Sequence, residues 1–396
     1  MENKITIGLF GFGTVGQGLA GVLQRVENNK AEIKRICVKN ADKPRTLPQE
    51  FFTVNPDDIF NDSKINLIVE VIDDDKAAYG IVTKALNKGL SVVSGNKKML
   101  AYHLPELIEL QQKTGAALLY DASACGSIPV IRNLEEYYDN DLLISVKGIL
   151  NGSSNFILSK IFNENMRYDT ALKMAQDLGF AESNPSFDVD GFDSLFKLVI
   201  ITVHAFGEYV NPDKLLNFGI SNMSENDIRF AIEKSRRIKL VGQVEKLSND
   251  QITLFVLPQL ISKDKYIYSV EDEFNGVVIK GEFYYKQFMF GQGAGSKPTG
   301  SAVLSDITAR YHNYRYEYKK RNRIRKFHYT EDHIIRIYLR YENEDDLSLF
   351  NFQQITERYA SDSYKYVVGN INLKDIIKIK DELHKRNLFL AAYPHN

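Results

Sequence analysis

The chain predicts an α/β fold: a doubly wound parallel sheet, followed by an α+β part and a small α+β C-terminal region. Three observations predict it. Short, nearly continuous apolar runs alternate with helical spacings over the first 130 residues, as expected of parallel strands covered on both faces. The pattern then turns mainly helical over residues 153–206, and strand-like runs return after residue 250. The 44% apolar content over 396 residues is enough for two or three real cores.

Taken in order, residues 5–10 read as the first strand and 14–26 as a helix. Strands follow at 33–38, 67–72, 91–94 and 117–120, with helices at 75–87 and 105–113 between them. A strand at 142–150 closes this part. The helical stretch 153–206 is interrupted by the loop AESNPSFDVDG at 181–191. Strand-like runs lie at 252–257, 266–270, 276–280 and 283–289, before the glycine-rich turn GQGAGS. Residues 311–329 are basic and tyrosine-rich, and 333–396 read strand, loop, helix, strand, helix, strand.

Composition excludes several classes. Fifty Lys and Arg against 51 Asp and Glu, a formal charge of -1, argue against a dedicated nucleic-acid binder. Two distant cysteines, Cys37 and Cys125, make neither a disulfide framework nor a cysteine-rich zinc site. The N-terminal MENKITIGLF runs straight into a strand, and no apolar stretch is long enough to span a bilayer. These features predict a soluble, cytoplasmic protein with no membrane partner.

Gly11-Phe12-Gly13-Thr14-Val15-Gly16 is a GxGxxG sequence between the first strand and its helix. In that setting the first glycine permits the turn, the second lets backbone approach a pyrophosphate, and the third lets helix and strand pack. The helix N-terminus adds free N–H groups and partial positive charge. The first part is therefore a Rossmann-type dinucleotide-binding domain. After the second strand, Lys39, Lys43 and Arg45 stand where an acid would hold an NAD ribose, so NADP is favoured and NAD remains possible. Asp73, Asp74 and Asp75 follow the third run, where they cap the next helix or face solvent.

Asp193 and Lys197 are four apart and share a helix face amid apolar neighbours. An amine held by a carboxylate in such surroundings can exchange a proton with an alcohol. Glu182, Asp188 and Asp190 precede the pair in a loop and offer carboxylates to an amino group.

The segments SGNKKML, YDASACGSIPV, GILNGSSNFIL, LGFAESNPSFDVDGFDSLFKL and GQGAGSKPTGSAVLSD occur in this order after GFGTVG. Over about residues 1–310 the chain resembles homoserine dehydrogenases. That resemblance implies reversible NAD(P)-dependent interconversion of L-homoserine and L-aspartate 4-semialdehyde, on the route to threonine and methionine. It implies Lys197 as proton donor and acceptor, assisted by Lys97, with Gly179, Glu182 and Asp193 at the substrate. It also implies Ser94, Lys97, Gly293 and Gly295 at the cofactor, beside Lys39 and the residues of the glycine loop. A monovalent cation such as sodium would be held by Asp121, Ala124, Gly126 and Ile128, with Asp121 standing for the family's usual glutamate. The family implies a homodimer, and a regulatory ACT domain in place of the C-terminal region. Here Glu342-Asn343-Glu344-Asp345-Asp346 lacks the glycine of the effector loop, so the region reads as a degenerate ACT-like appendage.

The resulting division is 1–135 dinucleotide-binding, 136–310 substrate-binding and dimerisation, 311–330 a basic connector, and 331–396 the appendage. Three alternatives stay open. Cys125 could serve a phosphorylating semialdehyde dehydrogenase. The chain could also be a nucleotide-binding regulator without turnover, or bind RNA through residues 311–329.

Overall fold

The computed structural model describes residues 4–27, 30–40, 42–140 and 142–394. Residues 1–3, read above as leading straight into a strand, and the last two residues of the C-terminal region lie outside them. The chain forms two compact units, one of residues up to 139 together with 292–319, the other of 140–291 together with the chain from 320 onward.

The first unit carries β1 (Ile5–Phe10), α1 (Thr14–Leu23), β2 (Ala31–Cys37), β3 (Phe52–Thr53), α2 (Asp57–Phe60), β4 (Leu67–Glu70), α3 (Asp75–Asn87), β5 (Ser91–Ser94), α4 (Lys97–Thr114) and β6 (Leu118–Leu119). The six strands are parallel in the order β3-β2-β1-β4-β5-β6. Every residue of β4 and β5 is buried, which accounts for their unbroken apolar runs. Strand order reverses beside β1, and in such sheets ligands bind outside the strand C-termini at that point. Pro105 lies inside α4, so the helix begins eight residues before the expected 105–113. Two short helices follow, α5 (Ala122–Cys125) and α6 (Val130–Glu136).

The second unit contains β7 (Leu143–Ile149), α7 (Gly152–Glu164), α8 (Tyr168–Asp177), α9 (Ser186–Val189), α10 (Phe192–Phe206), α11 (Glu225–Glu233), β8 (Arg236–Lys246), β9 (Gln251–Ser262), β10 (Phe274–Gly281) and β11 (Tyr285–Gln292). The next helix, α12 (Ser296–Tyr311), packs in the first unit: a Cβ on Gly18 would meet the Ser296 carbonyl, and one on Gly300 would meet Gly18 backbone. The consecutive boundaries 136–310 and 311–330 are therefore not where the chain divides.

β8 was not foreseen, because its basic start and Gly242 break the alternation that marks a strand. It pairs with β9 along its whole length, from Arg236↔Ser262 to Lys246↔Ile252. The expected strand at 266–270 is instead a short 3₁₀ turn, Tyr266–Ser269, closed by the Tyr268 N–H on the Lys265 carbonyl.

β12 (His328–Tyr329) pairs with β9, and the C-terminal region adds β13 (Ile334–Tyr341), α13 (Glu344–Ser348), β14 (Phe352–Ala360), β15 (Lys365–Asn372), α14 (Leu373–Lys378), α15 (Lys380–Leu383) and β16 (Phe389–Ala392). Its antiparallel strands lie in the order β16-β13-β15-β14, the split β-α-β arrangement. This region is not a separate appendage. β16 joins β9 through the pair Ala392↔Gln259, so a single sheet runs through the second unit.

Candidate functional site

In the first unit the glycine loop has the form a dinucleotide needs. Gly11 sits at φ +98, in the left-handed region, with the Val71 carbonyl where a side chain would stand. A Cβ on Gly16 would collide with the Gly11 carbonyl. A Cβ on Gly13 would meet nothing within 4 Å, so this backbone faces open space at the N-terminus of α1. Thr14 and Val15 open the helix there, and their N–H groups are among those a helix start leaves without intrahelical partners. The Phe12 ring is buried edge-on to Phe52, which leaves its backbone to face a ligand. Ser296 Oγ donates to the Thr14 carbonyl at 2.9 Å, tying the turn that carries Gly293 and Gly295 to the glycine loop. The donor set fits a nicotinamide dinucleotide.

At the end of β2 the Lys39 amine is exposed and lies 3.5 Å from Asp74. Arg45 covers the Phe52 ring at 4.8 Å. Asp74 caps α3 by accepting the Ala77 N–H, the role expected of the acidic triplet.

A carboxylate that sequence reasoning missed ties β4 to β5. Glu70 is fully buried, its Oε1 accepting the Ile72 N–H at 2.8 Å and its Oε2 the Ser94 hydroxyl at 2.6 Å. Burial pushes its pKa up to about 7, against those two hydrogen bonds. Ser94 Oγ also accepts the Asn96 N–H, and the Asn96 side chain donates to the Ile72 carbonyl and caps α4 at Met99. The hydroxyl of Ser94, expected to face cofactor, is thus engaged internally, and Lys97 begins a helix anchored by this lattice. The one signal in the sequence was an acid ending the apolar run LIVE.

In the second unit, α10 is buried on all sides from Asp193 to Phe206. Lys197 Nζ makes a 2.7 Å ion pair with Asp193 Oδ2 and donates to the Leu150 carbonyl at 2.7 Å. Asn151, which caps α7, donates to Asp193 Oδ2 at 2.9 Å and to Asp188 Oδ1 at 2.7 Å. Asn275 donates to the same Leu150 carbonyl at 3.2 Å. Sequence reasoning found Asp193, Lys197 and Asp188 but not the two asparagines. Gly179, at φ +77, ends α8 with open space before it. Glu182 is exposed three residues on, and among the described residues nothing pairs with its carboxylate. An ammonium carries three donors. Two of those on Lys197 are used, which leaves one for a substrate oxygen.

The expected cation loop has another structure. Asp121 is buried, and its Oδ1 accepts the N–H groups of Ile131 at 2.8 Å and Arg132 at 3.3 Å, anchoring α6. Its own N–H donates to Asp306, whose carboxylate pairs with Arg132 at 2.8 Å. Gly126 is pressed against the Gly293 carbonyl, and the Ile128 carbonyl accepts the Val130 N–H. Ala124 is buried in α5. The Asp121 carboxylate, with Oδ1 committed to amides beside a guanidinium, is thus engaged within the fold rather than offered to a cation.

Cys125 is fully buried in α5, so it is not placed to attack a substrate. In the basic segment Tyr316 and Tyr318 are buried and the Tyr314 hydroxyl donates to Glu136, so these rings are packed rather than offered to bases. Among the described residues no helix is long and apolar enough to cross a membrane.

Comparison with known proteins gives one answer. The family described as "Homoserine dehydrogenase" matches residues 129–308, and "Homoserine dehydrogenase, NAD binding domain" matches residues 11–121. A homoserine dehydrogenase of Bacillus subtilis is 34% identical over 320 residues, 78% of this chain and 74% of the relative. One from Helicobacter pylori is 36% identical over 314 residues, 78% of this chain and 74% of its own. The crystal structure of a homoserine dehydrogenase from Thiobacillus denitrificans superposes with a TM-score of 0.83 at 29% identity, over 99% of this chain and 98% of that one. A hyperthermophilic archaeal homoserine dehydrogenase mutant in complex with NADPH gives 0.66 at 26% identity, over 79% of this chain and 99% of that one.

Proposed function

Because the chain belongs to the homoserine dehydrogenase family, and is an oxidoreductase with a nicotinamide-binding domain, we propose that Lys197 is the group that moves the proton between enzyme and substrate. The observation that carries this is the geometry of its amine. Asp193 and the Leu150 carbonyl fix two donor positions inside a buried helix and leave the third for the reacting oxygen. When bound, the nicotinamide accepts the hydride that leaves the carbinol carbon of L-homoserine. In the reductive direction the Lys197 ammonium gives the proton of its third position to the carbonyl oxygen of L-aspartate 4-semialdehyde. In oxidation the neutral amine, still held by Asp193 and the Leu150 carbonyl through its two N–H groups, uses the lone pair at that position to take the hydroxyl proton as the C=O forms. Lys97, at the start of α4, stabilises negative charge developing on oxygen. Asp193 orients Lys197 and, with Glu182, receives the substrate amino group, while Gly179 leaves room for the chain.

Gly11 to Gly16, with Gly293 and Gly295, are assigned to the cofactor. NADP is the favoured form: the segment after β2 carries Lys39 and Arg45 where NAD binders carry an acid, and a structurally similar archaeal relative is described with NADPH. A cytoplasmic homodimer completes the reading, by analogy with the family. Initial rates of homoserine oxidation with NADP and NAD side by side test it. A higher kcat/KM with NADP that falls in Arg45→Gln is expected; equal values for both cofactors in both proteins overturn the preference.

A further inference from the structure

A cavity of about 290 Å³ lies in the second unit, away from the Lys197 network, and its lining is strongly basic. Lys147 of β7, Arg236 of β8, Lys280 of β10, Lys286 of β11 and Lys265 face a single acid, Asp264. Register puts two of these cations on one sheet face: Ser145 pairs with Lys280 and Lys147 with Val278, so Lys147 and Lys280 are diagonal cross-strand neighbours. Asp264 offsets little, because it is engaged by the Lys265 amine and the Ser262 hydroxyl.

Lys147 carries the argument. Among the described residues neither a hydrogen bond nor an ion pair reaches its amine, and the same holds for Lys280. Glu245, the carboxylate that favours the Lys147 charge, is itself 3.1 Å from His333. Burial, together with Lys265 and Lys286, brings the Lys147 pKa down to about 8. Unpaired like charges gathered in a partly dry cleft raise the energy of the empty site, and an anion relieves it. Lysine is a point-charge binder of phosphate, with three donors free to turn toward its oxygens. Tyr266 and Tyr285 stand at the same cavity, the Tyr266 ring stacked on Phe288 and the Lys286 amine 4.8 Å over the Tyr285 ring, so that apolar surface adjoins the cations.

We propose that this cavity binds a small phosphate-bearing anion, held by Lys147, Lys280 and Lys286, at a site separate from the dinucleotide loop. The test is calorimetric titration of the whole enzyme, saturated with NADP so that the cofactor site cannot contribute. Inorganic phosphate is the probe in one arm and O-phospho-L-serine in the other. Saturable binding in either arm is expected, and tighter binding of the phospho-amino acid would show that the ligand's body is used. Lys147→Met, and separately the double variant Lys280→Gln/Lys286→Gln on the outer strands, should weaken it by roughly tenfold or more. With phosphate bound, the Lys147 amine should titrate higher than in the unliganded enzyme. Absence of saturable binding in both arms, or equal binding by the variants, overturns the proposal. If phosphate fails to bind while charge removal changes the sedimentation coefficient, the cations serve contact with a second copy of the chain instead.

Discussion

Glu70→Gln removes a buried ionisable group while keeping an acceptor for the Ile72 N–H; its amide N–H faces a Ser94 hydroxyl that turns from donor to acceptor. In the folded enzyme burial holds this carboxyl's pKa near 7, against 4.5 for an ordinary glutamate. The native state therefore binds more protons than the unfolded chain between those values, and stability falls as pH rises through that window. The Glu70 contribution is fully present below the unfolded value and is lost as pH passes the folded one. At about 1.4 kcal/mol per pH unit the loss amounts to ~3 kcal/mol, or roughly 6–12 °C in Tm for a unit of this size. Thermal melts of wild type and variant from pH 5 to pH 8 measure it. The Tm difference between the two should move by that amount, with the variant gaining as pH rises. Parallel profiles across the range would refute the reasoning.

Three further outcomes follow from the same geometry. Gly13→Val places a side chain in open space, so the fold should persist by circular dichroism while the KM for cofactor rises roughly tenfold or more, about 1.4 kcal/mol or above. Asn151→Ala deletes two hydrogen bonds to carboxylates and the cap of α7, and should cost ~2–4 kcal/mol in urea unfolding and lower kcat more than it raises KM. Arg132→Met strands the buried Asp306 carboxylate; the loss should sit near the lower end of about 3–5 kcal/mol, because the Arg132 side chain is 26% exposed. Burial and Asp121 already raise the Asp306 pKa, so it protonates readily, and melts should show a smaller loss at pH 5 than at pH 8.

What could be read from the sequence was whatever local spacing encodes. The glycine loop declared itself through its place between strand and helix, and Asp193 and Lys197 through their separation of one helical turn. Asn151, Asn275 and Glu70 gave no such signal. Asn151 reaches the site only because α7 starts where β7 ends, and Asn275 because β10 pairs with β7. Glu70 matters through burial between β1 and β5, which a run of four letters does not reveal. The strand expected at 266–270 failed for a related reason: its alternating aromatics belong to a turn lying against the sheet, where Ile267 and Val270 join a core with Val241. Asp121 shows the limit of a motif carried over by resemblance, since its carboxylate anchors α6.

The proton role of Lys197 is tested most directly by steady-state homoserine oxidation with NADP, wild type beside Lys197→Met. Asn151 still satisfies Asp193 in that variant, and Asn275 still satisfies the Leu150 carbonyl, so the site should hold its shape. Turnover should fall by about 10²–10⁴, the usual share of one acid–base group, with cofactor affinity unchanged. A folded variant that keeps full turnover would contradict the account.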